Sequence, residues 1–218
     1  MSWRLLEDVP AEDVRLLLSV ARRRRFGRRE VVYHQGDPAD SLHLVSSGHF
    51  LVRVATRLGE TVTLALFGPG EIFGEMALAG KEPRRSATVE ALEPSETFAV
   101  YQTDFGQLRE QHPGVDRVLI ALLVGEVRAL NERLLEAFYV PAEKRILRRI
   151  AELAAVFATD ADQATELPLT QEDLATFAGT SRATVNQVLR EEQKRGTVEL
   201  RRGKTVILDL DALGKRSR

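Results

Sequence analysis

The 218-residue sequence contains no cysteine, which excludes a disulfide framework, a thiolate zinc site, an iron–sulfur cluster and redox sensing through thiols. It also lacks a long apolar run. The longest, Val118 to Val124, falls far short of the roughly 20 residues that cross a bilayer. Acidic residues follow at once in the N-terminal MSWRLLEDVP, unlike a signal peptide, so a cytoplasmic protein with no membrane partner is expected. Charge of one sign is missing as well: the formal net charge is −1, so any nucleic-acid surface has to be local. The four histidines, His34, His43, His49 and His112, show no metal-ligand spacing and are read as structural or exposed, and no metal is expected. No nucleophile–base pair or metal cluster is apparent, which argues against catalysis. What is present, 44% hydrophobic and 29% charged residues, describes a soluble globular chain long enough for two domains.

One stretch carries concentrated chemistry: Phe73 to Ala91, FGEMALAGKEPRRSATVEA. Gly74 lets another group approach the backbone closely, a helix opening just after it offers free N–H groups to an anion, and an arginine supplies a planar fork for phosphate. Glu75 suits sugar hydroxyls as their acceptor. The bland alternative makes Glu75 a helix cap and Arg85 a solvated cation. The whole ordered string resembles the phosphate-binding cassette of cyclic-nucleotide-binding domains. That resemblance implies Gly74, Glu75, Met76, Ala77, Arg85 and Ser86 as ligand contacts.

Around the cassette, short β-rich pieces (Val31–Tyr33, Leu42–Val45, Phe50–Ala55, Val62–Phe67, Ala87–Ala91, Thr97–Val100) are separated by turn residues such as Gly36-Asp37-Pro38 and Gly68-Pro69-Gly70. Alternation in Phe50, Val52, Val54 and in Val62, Leu64, Leu66 marks strands with one buried face. Evenly spaced short strands predict a closed or rolled antiparallel barrel. A short helix is expected over Val9 to Val20, and the run Arg22-Arg23-Arg24-Arg25 up to Arg29 reads as its solvated, cation-favouring end.

Pro113 to Phe138 reads as one long helix. Ile120, Leu123, Val127, Leu130, Leu134 and Ala137 alternate spacings of three and four, an a/d seam that asks for an identical partner, although such a face also packs on its own domain. Beyond Pro141 a second apolar stripe, Ile146, Leu147, Ile150, Leu153, Ala154 and Phe157, is helical, and a polar connection over Thr159 to Glu166 follows.

In LPLTQEDLATFAGTSRATVNQVLREEQKRG, Thr170 with Asp173 opens a helix, Gly179 supplies a turn, and Thr180-Ser181 caps a second helix buried through Val185, Val188 and Leu189. A helix-turn-helix follows. The exposed side of its second helix presents Arg182, Ala183, Asn186, Gln187 and Arg190, side chains able to read guanine or adenine edges in a major groove. Val198 to Leu200 and Thr205 to Leu208 flank a basic hairpin tip, Arg201-Arg202-Gly203-Lys204, suited to phosphate.

The stretch SRATVNQVLREEQKRG closely resembles the winged helix of the CRP/FNR transcription regulators, and with the cassette upstream the resemblance covers nearly the whole chain. It implies an α+β protein: a cyclic-nucleotide-binding-type β-roll over 1–112, a dimerisation helix over 113–138 and a DNA-binding winged helix over 139–218. It implies a homodimer on a palindromic double-stranded operator, and contact with RNA polymerase if the protein is an activator. DNA contacts carried over by position are Thr170, Gln171, Ser181, Arg182, Ala183, Thr184, Asn186, Gln187, Arg190, Arg201, Arg202 and Lys204, with Arg182 the guanine reader. Two base-reading positions of the cyclic-AMP-binding members, glutamate and arginine, are Ala183 and Gln187 here, so operator preference is not transferred. Those members read adenine with Thr-Ser on the long helix, where this chain has Leu130 and Asn131, and of the two only Asn131 hydrogen-bonds. Cyclic AMP, cyclic GMP or no ligand at all, with an already active dimer, stay open. Haem occurs in some relatives, but no histidine here is singled out for it. A cyclic-nucleotide-binding regulatory subunit of an enzyme is the competing class. It would want a second nucleotide domain or an inhibitory peptide, where this chain has a winged helix.

Overall fold

The structure, a computed structural model, describes residues 3, 6–57, 59–78, 83–157, 164–201 and 204–217. Contacts divide the chain into two compact units, residues 1–61 with 65–131, and residues 62–64 with 132–218.

In the first unit, α1 (Ala11–Ser19) opens after Pro10, whose fixed φ suits a helix entry. Eight strands follow: β1 (Arg22–Phe26), β2 (Val31–Tyr33), β3 (Ser41–Ser47), β4 (Phe50–Ala55), β5 (Thr61–Phe67), β6 (Ile72–Phe73), β7 (Thr88–Ala91) and β8 (Ser95–Tyr101). They form two four-stranded sheets, ordered β1-β8-β3-β6 and β2-β7-β4-β5, the rolled arrangement expected from the even spacing of the strands. The expected alternation does not hold, since Leu51 is buried between Phe50 and Val52, and in β5 Thr63 and Ala65 are buried while Leu64 is exposed. Phe26, Val45, Phe50, Val52, Phe73 and Val89 fill the interior, and burying each such side chain is worth roughly 1.5–3 kcal/mol. A single 3-10 turn, Glu75–Leu78, interrupts the strands between β6 and β7.

The arginine run is not a helix end. Arg22 to Arg25 lie in β1, at the edge of their sheet, paired with β8 in the register Arg22↔Ala99 to Phe26↔Ser95. Acids on neighbouring elements decide this. Glu96 receives both Arg23 (2.6 Å) and Arg25 (3.1 Å), and Asp104 receives Arg22 (2.9 Å). Only Phe26 of the strand is buried, and charged side chains are the usual protection of an exposed edge.

The helix α2 (Gln102–Gln111), not expected from the sequence, and a 3-10 turn at Pro113–Val115 lead into α3 (Asp116–Tyr139). Val115, Val118 and Leu122 join Leu17, Leu42, Leu44, Val100 and Phe105 in a second core. The a/d residues are elsewhere on the helix. Ile120, Leu123, Val127, Leu130 and Leu134 are 40 to 60% exposed in the single chain, and Ala137 is exposed too. Much of this face is therefore left uncovered in the single chain.

The second unit takes residues 62–64 of β5 and the end of α3 from residue 132 on, and contains α4 (Ala142–Phe157), β9 (Thr165–Leu167), α5 (Gln171–Phe177), α6 (Arg182–Lys194), β10 (Val198–Arg201), β11 (Lys204–Ile207) and α7 (Leu210–Arg216). The stripe Ile146, Leu147, Ile150, Leu153 and Ala154 is buried, and α4 packs against α5, α6 and α7. The strands pair in the order β10-β11-β9, so the supposed polar connection ends in a strand. At the back of α6, Glu192 is buried and takes a hydrogen bond from Thr197 (2.6 Å) and ion pairs from Arg195 (2.6 Å) and Arg216. Burial alone would raise this carboxyl; the donors more than offset it and hold it below the usual range. One carboxylate thus ties α6 to the start of β10 and to α7.

Candidate functional site

The cassette builds a buried niche for one guanidinium. Arg85 is buried, with 3% of its side chain exposed, so it is not the solvated cation of the bland reading. Its Nη1 donates to the Ser41 carbonyl (2.7 Å) and its Nη2 to Asp40 (3.0 Å) and the Ser41 hydroxyl (3.0 Å). Its Cζ lies 3.8 Å from the centre of the Tyr33 ring, a cation–π contact. Gly74 makes room. It holds φ +80°, and a Cβ there would lie 2.9 Å from Arg85 Nη1, 3.0 Å from the Ser41 carbonyl oxygen and 3.4 Å from the Tyr33 hydroxyl. Any other residue would both strain the backbone and close the niche. One nitrogen is left over: Arg85 Nε is buried with no acceptor among the described residues. An orphan of that kind costs roughly 1–3 kcal/mol, and an anionic oxygen would satisfy it.

Glu75 opens the 3-10 turn that follows Gly74, and Ala77 is buried beneath it. Burial raises the Glu75 carboxyl, Glu126 adds to the shift, and the N–H groups of Glu75 and Met76 and the charge of Arg85 oppose it. The structure brings Gly74 and Arg85 into contact. Met76, Ser86 and Asn131 are exposed, and among the described residues no hydrogen bond joins them to Arg85.

The helix-turn-helix forms from local signals. Thr170 and Asp173 make a reciprocal capping box at α5, Gly179 turns the chain with φ +61°, and Ser181 caps α6 by accepting from the Thr184 N–H. Ser181, Arg182, Ala183, Gln187 and Arg190 are exposed, and Arg182 and Arg190 have no ion pair among the described residues. Asn186, by contrast, donates to the Gln171 side chain (3.0 Å), and the Thr184 hydroxyl is paired with Ser181 (2.8 Å). In the hairpin, Arg201 pairs with Glu199 (2.8 Å) and Lys204 with Glu166 (2.5 Å), so acids nearby temper its charge. Arg202 and Gly203 lie outside the described residues.

Two family models match this chain: a cyclic nucleotide-binding domain over residues 23–112 and a Crp-like helix-turn-helix domain over 144–216. A cyclic AMP receptor protein of Thermus thermophilus is 34% identical across 90% of this chain and 88% of its own. The chain belongs to the CRP/FNR family of transcription regulators. A CRP-like cAMP-activated global transcriptional regulator of Mycobacterium tuberculosis is 29% identical over 88% of this chain and 87% of its own. The solved structure of the c-di-GMP-responsive global regulator CLP of Xanthomonas campestris superposes with a TM-score of 0.73 at 27% identity, covering 92% of this chain and 99% of that one. These relatives are regulators rather than enzymes. No described helix is long and apolar enough to cross a membrane.

Sequence reasoning did not find the residues behind Arg85 in this CRP/FNR regulator. His43 is the innermost. It hydrogen-bonds Ser41 (3.2 Å) and Thr97 (3.0 Å) and stacks on Phe73 at 5.0 Å. Burial, then the charges of Arg85 and Arg24, push its imidazole down to about 3 from the ordinary 6.5. Within that interval the unfolded chain takes up a proton that the folded chain refuses, so stability falls as the pH drops below the ordinary value. His43→Gln keeps hydrogen-bonding capacity toward Ser41 and Thr97 without titrating. Urea unfolding at about pH 7 and about pH 4.5 should show a smaller acid loss in the variant than in the wild type. Equal losses would remove His43 from the acid sensitivity of the roll.

Proposed function

We propose that the protein is a homodimeric, sequence-specific transcription activator of the cytoplasm whose DNA binding is gated by a cyclic nucleotide, cyclic AMP in the first instance. The observation that carries the ligand reading is the orphan Nε of Arg85 in its Gly74-lined niche: a buried cationic donor without an acceptor among the described residues fits the single charge of a cyclic phosphate. Arg85 and Gly74 would hold the phosphate, Glu75 the ribose hydroxyls, and Asn131 would be the polar group offered to the base, with Met76, Ala77 and Ser86 around them. The ligand adds an anion and hydroxyls and performs no chemistry. It gates DNA binding only as far as it prefers the state in which two recognition helices meet half-sites about one helical turn, roughly 34 Å, apart. An activator of this kind would also contact RNA polymerase.

Calorimetric titration of the nucleotide-stripped protein with cyclic AMP and then cyclic GMP tests the gate. Saturable binding is expected, weakened roughly 30-fold or more by Arg85→Ala, since truncating one partner of a buried charge pair costs about 2–5 kcal/mol. Leu130 favours a second reading: its exposed apolar side chain stands where adenine readers carry a hydroxyl. Absence of heat with both nucleotides, together with DNA binding by the stripped protein, would establish that ligand-independent regulator in place of the gated one.

A further inference from the structure

Three arginines early in α4 reach to other chain ends, Arg149 while also pairing with Glu152 of its own helix (2.6 Å). The Arg145 guanidinium donates to four main-chain carbonyls. Nη1 reaches Val140 (2.7 Å) and Ala137 (3.5 Å) at the end of α3, while Nε reaches Ala178 (3.0 Å) and Nη2 reaches Gly179 (2.9 Å) in the turn before α6. Arg149 repeats the span with side chains, pairing with Glu136 of α3 and lying 5.5 Å over the Phe177 ring of α5. Arg148 joins Glu136 (3.3 Å) to the Ser217 carbonyl after α7 (2.7 Å).

The last carbonyls of a helix have no partner within it, and cations are favoured there. A single planar fork serving two such ends fixes their separation and relative direction, which the point charge of a lysine does not. Gly179 passes through Thr180 to Ser181, the cap of α6. The connection from the end of α3 to the helix that reads bases therefore runs through Arg145.

We propose that Arg145 is a positioning residue for DNA readout. It sets the direction in which α6 leaves the end of α3, with Arg149 as its support, and it touches no DNA itself. The inference rests on the reading of α6 as the recognition helix of a dimer.

Because the chain has no cysteine, a spin-label pair placed by Glu132→Cys and Lys194→Cys, both exposed, reports the geometry directly. Labelled full-length chain is diluted with unlabelled chain, so that pulsed dipolar spectroscopy reads distances within one chain. A narrow distance distribution is expected from the otherwise wild-type protein and a broadened or shifted one from Arg145→Ala and Arg145→Lys. A second arm measures affinity for an in vitro selected palindromic duplex, for the same duplex with altered half-site spacing, and for one half-site. Two half-sites can bind about 10²–10⁴ more tightly than one only where both engage together. Arg145→Lys should forfeit on the order of tenfold of that advantage and flatten the spacing preference, with half-site affinity nearly unchanged. An unchanged distance distribution, or a parallel fall of half-site and palindrome affinity, would overturn the assignment. If Arg145→Ala fails to fold, Arg145→Lys carries the test, and an unchanged distribution in it would overturn the clamp; Arg149→Lys, which leaves the four carbonyl contacts, should broaden the distribution less. Wild-type protein that gains nothing from a palindrome would overturn the dimeric reading, while the spin-label arm still decides on Arg145.

Discussion

Arg182→Ala should lose specific operator binding by roughly 30-fold to 10⁴-fold, because a bidentate arginine–guanine pair is worth about 1–3 kcal/mol and a dimer presents two. Local structure leaves the side chain available for such a contact. It stands at the first position of α6, immediately after the Ser181 cap whose hydroxyl accepts from Thr184 N–H (3.2 Å), and it is exposed with no ion pair among the described residues. Among the described residues, then, no ion-pair partner has to be broken before it meets a base edge. Arg201 and Lys204 differ, since each already pairs with a carboxylate, Glu199 or Glu166. Their removal should weaken selected and scrambled duplexes alike and by less.

Salt separates the two roles. A phosphate contact contributes close to one unit to the slope of log affinity against log salt, whereas a base contact leaves that slope alone. Competition between selected and scrambled duplexes at fixed salt, repeated over a salt series, is the measurement. Specificity that collapses in Arg182→Ala with an unchanged slope identifies a base reader. Equal weakening on both duplexes with a shallower slope would make Arg182 a phosphate contact.

What was legible in the sequence was whatever local geometry dictates. The Thr170-to-Asp173 spacing became a capping box, Gly179 took the left-handed turn, and the β-rich piece around Phe50 and Val52 became a strand, though with Leu51 buried as fully as its neighbours, so that both faces of its start are covered. The helix-turn-helix and the roll could be read because each signal lies within a few residues of its effect. The arginine run was misread for the opposite reason. Its pattern is that of a helix end, but Glu96 and Asp104, which hold it in an edge strand, stand more than seventy residues away. The surroundings of Arg85 were hidden in the same way. Its partner Ser41 is 44 residues upstream, and only the pairing of β3 with β8 places His43 against Thr97. Cassette spacing marked the arginine and the glycine, which make the contact; tertiary pairing supplied the tyrosine, serine and histidine.

Leu134→Glu should convert the protein to a monomer at micromolar concentration while leaving its fold intact. In a single chain Ile120, Leu123, Val127, Leu130 and Leu134 stand 40 to 60% exposed along α3, and Leu135, Phe138 and Tyr139 are exposed beside them. Covering half of such a side chain is worth about 1 kcal/mol, so the five seam positions from two copies supply on the order of 10 kcal/mol. That gain is set against an association cost of roughly 4–15 kcal/mol, which leaves little to spare. One glutamate at a central seam position removes the apolar contribution twice and brings two carboxylates toward each other in a dry interface, where unpaired charge is most costly. Since Leu134 is already exposed to water in one chain, neither core of the roll loses a contact. Circular dichroism and the thermal transition of the roll should change little, while sedimentation velocity shows half the mass and palindrome affinity falls to that of a single half-site. A variant that stays dimeric and keeps its palindrome preference would mean that the exposed face of α3 is not the interface. A variant that loses its secondary structure would mean that Leu134 serves the fold of the chain itself.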